Sequence, residues 1–211
     1  MRNDAIRFNG RKLLAAPIMA LDQYLRRRQG ITEFSNSRDC LLRMQIVESE
    51  EEVALCDGAR LAKGDYLVEL HIWNEHVPLI PREGVTWAWA QQMNKKIEIS
   101  LRELARHLKG RRDLDNVRVI RGRIGLAALR EDQIARLAGR FGFEHRQGPD
   151  QPAAKGLHWF GENILISMLV LSRNPSALRI NSLWRRRILV YLSRRSLERR
   201  YSSACRSEPS S

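Results

Sequence analysis

Cysteine is scarce in this 211-residue chain: Cys40, Cys56 and Cys205, with no Cys-x-x-Cys spacing. An odd count without that spacing argues against a disulfide framework and against a zinc knuckle. A reducing, cytoplasmic setting is the expectation. Long apolar runs are also missing. The best, residues 164–171, is eight residues long, well short of the ~20 that a membrane span needs. It suits a buried helix. No Walker A loop, GxGxxG or GxSxG occurs, so nucleotide-driven and serine-hydrolase chemistry are not expected. HExxH and a complete facial triad are absent too, so no metal is expected, although Glu69 and His71 with Glu75 and His76 nearby could hold a divalent ion; the sequence leaves other cofactors unknown. Aromatic residues make up only 7% of the chain. Trp184 and Tyr191 lie among arginines near the C-terminus, but no recognition helix or stacking platform accompanies them. Nucleic acid is therefore not an expected partner.

Net charge is absent from the middle of the chain. Of the formal +13, residues 1–30 carry +5 and residues 173–211 carry +8, while residues 31–172 hold twenty charges of each sign. The basic character belongs to the ends. At the N-terminus, basic residues precede an apolar stretch from Leu13 to Leu21. Asp22 and Arg26-Arg-Arg28 follow at once and no clean small-x-small site appears, so a cleaved leader is not expected. Pro17, then Ile18, Leu21 and Leu25, predict a helix that Gly30 ends. The triple arginine then complements the helix dipole, with a partner site as the alternative.

Periodicity organises the body. Residues 40–48 and 53–56 read as strands, separated by the run Glu48-Ser-Glu-Glu-Glu52, expected as a solvated turn. Asp57-Gly58 and Lys63-Gly64-Asp65 are turn signals. From residue 85 the spacing becomes helical: Val85, Trp89, Met93, Ile97, Leu101, Leu104, Ala105 and Leu108 predict one long helix closed by Gly110, its tryptophans in the core. Residues 116–126 predict a strand, 129–141 a shorter helix and 142–146 a further short strand. Residues 147–156, rich in Gly, Pro and Gln, read as a linker, and 157–172 as a helix. On a helical wheel, residues 183–201 split into two apolar stripes with arginines between them. Residues 188–192 therefore read better as a buried strand, with Ser193 capping a short helix that carries Leu197 and Tyr201. The expected fold is α+β, a mostly antiparallel sheet with packed helices, an N-terminal helix and a basic C-terminal extension. The expected units are a basic helix over 1–30, an α+β core over 39–147, a segment over 157–201 that completes the domain, and a disordered tail over 202–211.

The stretch from Gly64 to His76 draws attention by its alternation. Tyr66, Val68, Leu70 and Ile72 share one face, expected as core. Glu69, His71, Trp73 and Glu75 share the other, where a surface strand would usually carry Thr, Lys or Ser. Glu69 and His71, two apart on a strand, point the same way. A carboxylate there can orient the imidazole as a base or favour its charged form, so the pair is the candidate catalytic couple. Glu-x-His also arises by chance, and a structural pair is the competing reading. Trp73, Asn74, Glu75 and His76 are candidate binding residues beside it. Asp57 and Arg60, on the preceding turn, are candidates that could reach the strand. His158 and Glu162, four apart on a helix with Asn163 adjacent, could complete a site, although an ordinary i,i+4 contact explains them as well. Arg185, Arg186, Arg187, Arg194 and Arg195 are the candidate contacts to an anionic surface, since arginine can grip phosphate with two hydrogen bonds.

The run Leu70-His-Ile-Trp-Asn-Glu-His-Val-Pro78, with Asp57-Gly58 and Gly64-Asp65 before it, resembles the YkoP-type domain of bacteria. Gly161-Glu-Asn-Ile-Leu-Ile166, Asn174-Pro175 and the closing arginine-rich segment resemble it too, so the likeness covers residues 40–201. That domain occurs alone or fused to polysaccharide deacetylases, and near glycosyltransferases. It has no established activity, so the resemblance assigns no catalytic roles. It implies a setting in envelope glycan or glycolipid metabolism. Three readings follow. One is an accessory or ligand-binding protein, peripheral on the inner membrane, whose partners are an anionic membrane surface or a lipid-linked glycan. The second is an enzyme using Glu69 and His71 on a sugar or lipid-linked substrate. The third is a structural subunit that binds an acidic partner.

Overall fold

The computed structural model describes residues 30–79, 81, 84, 86–124, 131–146 and 188–202. The expected N-terminal helix, the helix over 157–172 and the tail beyond residue 202 lie outside these residues.

Seven strands and three α-helices are described. The strands are β1 (Leu42–Glu48), β2 (Val53–Ala54), β3 (Arg60–Leu61), β4 (Tyr66–Ile72), β5 (Val119–Ile124), β6 (Glu144–His145) and β7 (Ile188–Ser193). The helices are α1 (Trp87–Lys109), α2 (Glu131–Arg140) and α3 (Arg194–Tyr201). Five strands form one sheet in the order β1-β4-β5-β7-β6, and β2 and β3 form a separate hairpin. Only β4 and β5 run parallel; the other three pairings are antiparallel. The fold is therefore α+β with a mostly antiparallel sheet. The parallel pair needs a long crossover, which α1 supplies.

Each element follows from its sequence. Gly58 and Gly64 have positive φ (85° and 91°), the backbone that the turns around β3 need and that glycine adopts without strain. Thr86 caps α1 by accepting the Trp89 N–H at 3.2 Å. Ser193 ends β7 and caps α3 by accepting the Ser196 N–H at 2.9 Å.

All three helices pack on one face of the sheet. Leu101, Leu104, Ala105 and Leu108 of α1 meet Met44, Val68, Leu70, Ile120 and Leu192, joined by Phe141, Leu197 and Tyr201. Each fully buried Leu contributes about 1.5–3 kcal/mol of transfer free energy. On the opposite face, Val53, Leu55 and Leu61 of the hairpin region cover Leu67, Val119 and Tyr191. Both faces are thus buried toward that end of the sheet.

Three expectations are corrected here. Tyr66 and Ile72, placed in the core by alternation, are exposed, because they sit at the two ends of β4 beyond the covering elements. The tryptophans of α1 are not core either. Trp87 is exposed and Trp89 is only partly buried, its indole donating to Pro78 O, because the buried residues of α1 begin at Ser100. Finally, the acidic run after β1 is not wholly solvated: Glu51 turns inward to accept a hydrogen bond from the Tyr191 hydroxyl.

Candidate functional site

Register places a polar row across the face opposite the three described helices. Gln45 pairs with Glu69, Glu69 with Arg121, Arg121 with Tyr191, and Tyr191 with Glu144. Side chains directly opposite on neighbouring strands point the same way, so five strands contribute one side chain each. In the adjacent row Arg43 pairs with His71. On β5, Arg123 stands two residues beyond Arg121 and so points to the same face.

Glu69 is the hub. It is almost fully buried, and its Oε2 accepts from both Nε (2.8 Å) and Nη2 of Arg121. Its Oε1 lies 3.0 Å from Arg123 Nε and 3.9 Å from His71 Nε2. His71 Nε2 is nearer to Gln45 Oε1, at 3.0 Å. Glu51 links the row to the hairpin: it takes the Tyr191 hydroxyl and lies 3.9 Å from Arg121 Nη1. Burial and the Glu51 carboxylate push the Tyr191 phenol well above its usual range, so it remains a neutral donor. A buried Arg–Glu pair needs such extra hydrogen bonds to offset its desolvation.

At the end of β4 the chain enters a short 3-10 turn over Asn74–His76. The Trp73 N–H donates to Leu41 O (2.7 Å), and His76 Nδ1 donates to Cys40 O (2.6 Å). The His76 ring stacks on the Trp73 indole with centroids 3.8 Å apart, and the Arg43 guanidinium lies 4.1 Å from the indole centre. Both stand too near the ring to share a side, so the indole is sandwiched. Arg43 also approaches Glu33 (3.1 Å) and Glu75 (3.7 Å).

The structure thus brings Glu69, His71, Trp73, Glu75 and His76 to one end of β4, with Asn74 opening the turn between them. Asp57 does not join them. It accepts from the Ser193 hydroxyl, from Ser196 Oγ at 2.9 Å and from the Ala59 N–H at 3.2 Å, which ties the hairpin to the start of α3. Burial works against its charge, but these hydrogen bonds outweigh it and hold the carboxyl below its usual value of 3.8. Arg60 is exposed on β3. Arg194 does not reach outward. Its guanidinium donates to Leu114 O (2.6 Å) and Leu108 O (2.8 Å), and pairs with Glu198 and Asp115. It serves the carbonyl end of α1, where a cation is favoured. Arg195 is exposed. His158, Glu162, Asn163, Arg185, Arg186 and Arg187 lie outside the described residues.

Sequence reasoning missed Arg43, Gln45, Glu51, Arg121, Arg123 and Tyr191. A signal for two of them was present: Arg121-Gly-Arg123 repeats on β5 the two-residue polar spacing of Glu69 and His71. Among the described residues no three His, Cys, Asp or Glu side chains gather as a metal site would require. No helix among them is long and apolar enough to cross a membrane.

The YkoP domain family model matches residues 11–201. This chain belongs to the YkoP domain family. The match takes in every β-strand and helix described, and begins upstream of the resemblance that the motifs carry. No curated protein and no solved structure matches the chain. In this YkoP domain, the Leu70–Pro78 run is the end of β4 and the 3-10 turn that seats Trp73 and His76 on Leu41 and Cys40, just before β1.

Proposed function

We propose that this YkoP domain is an accessory, ligand-binding module of envelope glycan or glycolipid metabolism, and that its ligand surface is the open margin of the polar row at His71 and Arg123. The observation that carries this reading is the state of Glu69. Both of its oxygens already meet a guanidinium. A carboxylate so held is poorly placed to take a proton from a substrate, which weighs against the acid–base alternative with His71. Beside it, the side chains of His71 and Arg123 are 30% and 43% exposed.

The charge balance of the surface supports a hydroxyl-rich ligand over a simple anion. Arg43, Arg121 and Arg123 stand against Glu33, Glu51, Glu69 and Glu75. Among the described residues, three cations facing four carboxylates make no anion trap. A dense set of donors and acceptors instead matches sugar hydroxyls and amides. Trp73 is not the stacking platform for such a sugar, since its two ring faces are taken.

The test is a titration of the full chain, followed by NMR chemical shift, with amino-sugar oligosaccharides and separately with inorganic phosphate. The expected result is saturable saccharide binding, weakened at least tenfold by Arg123→Ala. That variant should stay folded at the titration temperature, because Arg121 still pairs with Glu69, and a melt run beside the titration checks this. Binding of phosphate alone, or no saccharide binding, would overturn the proposal.

A further inference from the structure

The end of the sheet where β5 begins and β7 stops collects basic residues. The connection from Lys109 to Arg118 joins α1 to β5, and Arg194 ties it to the start of α3 through Leu108 O and Leu114 O. The Arg194 N–H donates to Arg118 O at 2.8 Å, so these two arginines are neighbours. Residues 109–118 and 193–198 hold six cations and three carboxylates. All three carboxylates are engaged: Asp113 pairs with Arg111, and Asp115 and Glu198 pair with Arg194. Lys109, Arg112, Arg118 and Arg195 are exposed, and none has a carboxylate partner among the described residues.

Local structure gives a reason for Lys109, which lies in the last turn of α1 and suits the helix dipole. It gives none for Arg195. That residue lies in the first turn of α3, which has no acidic residue, and a cation there opposes the dipole. Arg118 stands beside Arg194, a like charge. Cations kept against the electrostatics of their own elements point to an anion outside the chain. One aromatic side chain joins them. Tyr66 and Arg118 each stand two residues ahead of the Val68–Ile120 pair, so they are neighbours on the helix side of the sheet. Tyr66 is 52% exposed. A tyrosine among cations is the pattern of a surface at the level of lipid headgroups. A single exposed aromatic makes no platform for stacking successive bases, which weighs against nucleic acid.

We propose that Lys109, Arg112, Arg118 and Arg195, with Tyr66, form the face that seats the domain on an anionic lipid surface. The arginines grip lipid phosphates with paired hydrogen bonds, and Tyr66 lies among the headgroups. Arg195 serves the lipid, whereas Arg194 holds α3 to α1. The face lies at the opposite end of β4 and β5 from His71 and Arg123. Five residues separate Tyr66 from His71 and Arg118 from Arg123, about 17 Å along each strand. The saccharide surface is thus left clear of the lipid.

The experiment is flotation of the full chain with vesicles of phosphatidylcholine alone and of phosphatidylcholine with phosphatidylglycerol, at low and high salt. Wild type should float with the anionic vesicles alone, and salt should weaken it. Arg118→Glu/Arg195→Glu should lose roughly thirtyfold or more in vesicle affinity. Its thermal midpoint should hold or rise, since a carboxylate suits the start of α3 and the neighbouring Arg194. Arg38→Glu/Lys95→Glu makes the same change in net charge at exposed positions toward the other end of the sheet, and should lose far less. Arg118→Gln/Arg195→Gln adds no charge and should weaken binding by roughly tenfold; it decides the matter if the reversal does not fold. Equal losses in the two reversed variants would mean that net charge alone binds the vesicle, and would overturn the face. Absence of wild-type flotation would overturn it as well, and binding of a single-stranded oligonucleotide in that case would assign the cations to nucleic acid.

Discussion

Glu69 sits almost fully buried between Arg121 and Arg123, and that one carboxylate sets the character of the polar row. Removing one partner of a buried ion pair leaves an uncompensated charge, which costs about 3–5 kcal/mol. Glu69→Ala should therefore lower the thermal midpoint by roughly 10 °C or more in a domain of this size. Glu69→Gln should cost less, because the amide oxygen can still accept from Arg121. A calorimetric melt of both variants is the check. Equal and small losses would show that Arg121 finds another partner and that Glu69 does not organise the face. His71 was legible in the sequence beside Glu69 because both lie on one strand at spacing two. The Arg121–Glu69 contact was not, because it is created by pairing across 52 residues; the Arg121-Gly-Arg123 spacing could mark only a polar face on β5.

At the scale of elements, the hairpin of β2 and β3 is latched to the C-terminal β7–α3 unit by Asp57. The same Ser193 hydroxyl that caps α3 also meets this carboxylate. The Cys56 N–H donates to both Glu144 oxygens at 3.0 Å, and Arg146 reaches Ala54 O, so β6 holds the same hairpin. Because the folded state holds the Asp57 carboxyl below 3.8, its ionised form is the one that stabilises. The sign follows from linkage: the contribution is present above the unfolded value and is lost as pH falls through the lower folded value. Asp57→Asn should thus be destabilised relative to wild type at neutral pH, and the gap should narrow below about pH 4. Denaturant melts across that range would show it. A gap constant with pH would leave the latch to geometry alone. The sequence marked Asp57-Gly58 as a turn correctly. It placed Asp57 near the β4 site, which fails because the hairpin folds over toward Ser193. The short helix after Ser193 was legible for a physical reason, since a serine directly after an apolar run is a strong start signal. The misplaced core role of the α1 tryptophans has an equally physical source. A helical stripe shows that one face is apolar and leaves open where along the helix the sheet stops.

For the whole molecule, the order of strands matters more than their order in sequence. β7 lies between β5 and β6, so residues 188–193 pair with two strands that precede them by more than 40 positions. α3 then packs Leu197 and Tyr201 into the main core, with the Tyr201 hydroxyl donating to Phe141 O at 3.0 Å. Burial there pushes the Tyr201 phenol above its ordinary value. The arginine-rich C-terminal segment, whose residues 188–192 the periodicity marks as a buried strand, therefore supplies an interior strand of the sheet. Its arginines do not all form a basic surface: Arg194 donates to the Leu108 carbonyl of α1 and to the Leu114 carbonyl, and Arg200 donates to the Arg140 carbonyl of α2 from an exposed position. A chain ending at residue 187 should leave β5 and β6 with unpaired edges and the helix-side core open. It should give a non-cooperative melt and weak near-UV dichroism. A chain ending at residue 202 keeps β7, α3 and the Ser202 N–H bond to Glu198 O at 2.9 Å, and should melt as the full chain does. Cooperative unfolding of the shorter chain would mean that β1, β4, β5 and α1 form a self-sufficient unit and that the C-terminal segment is an addition to it.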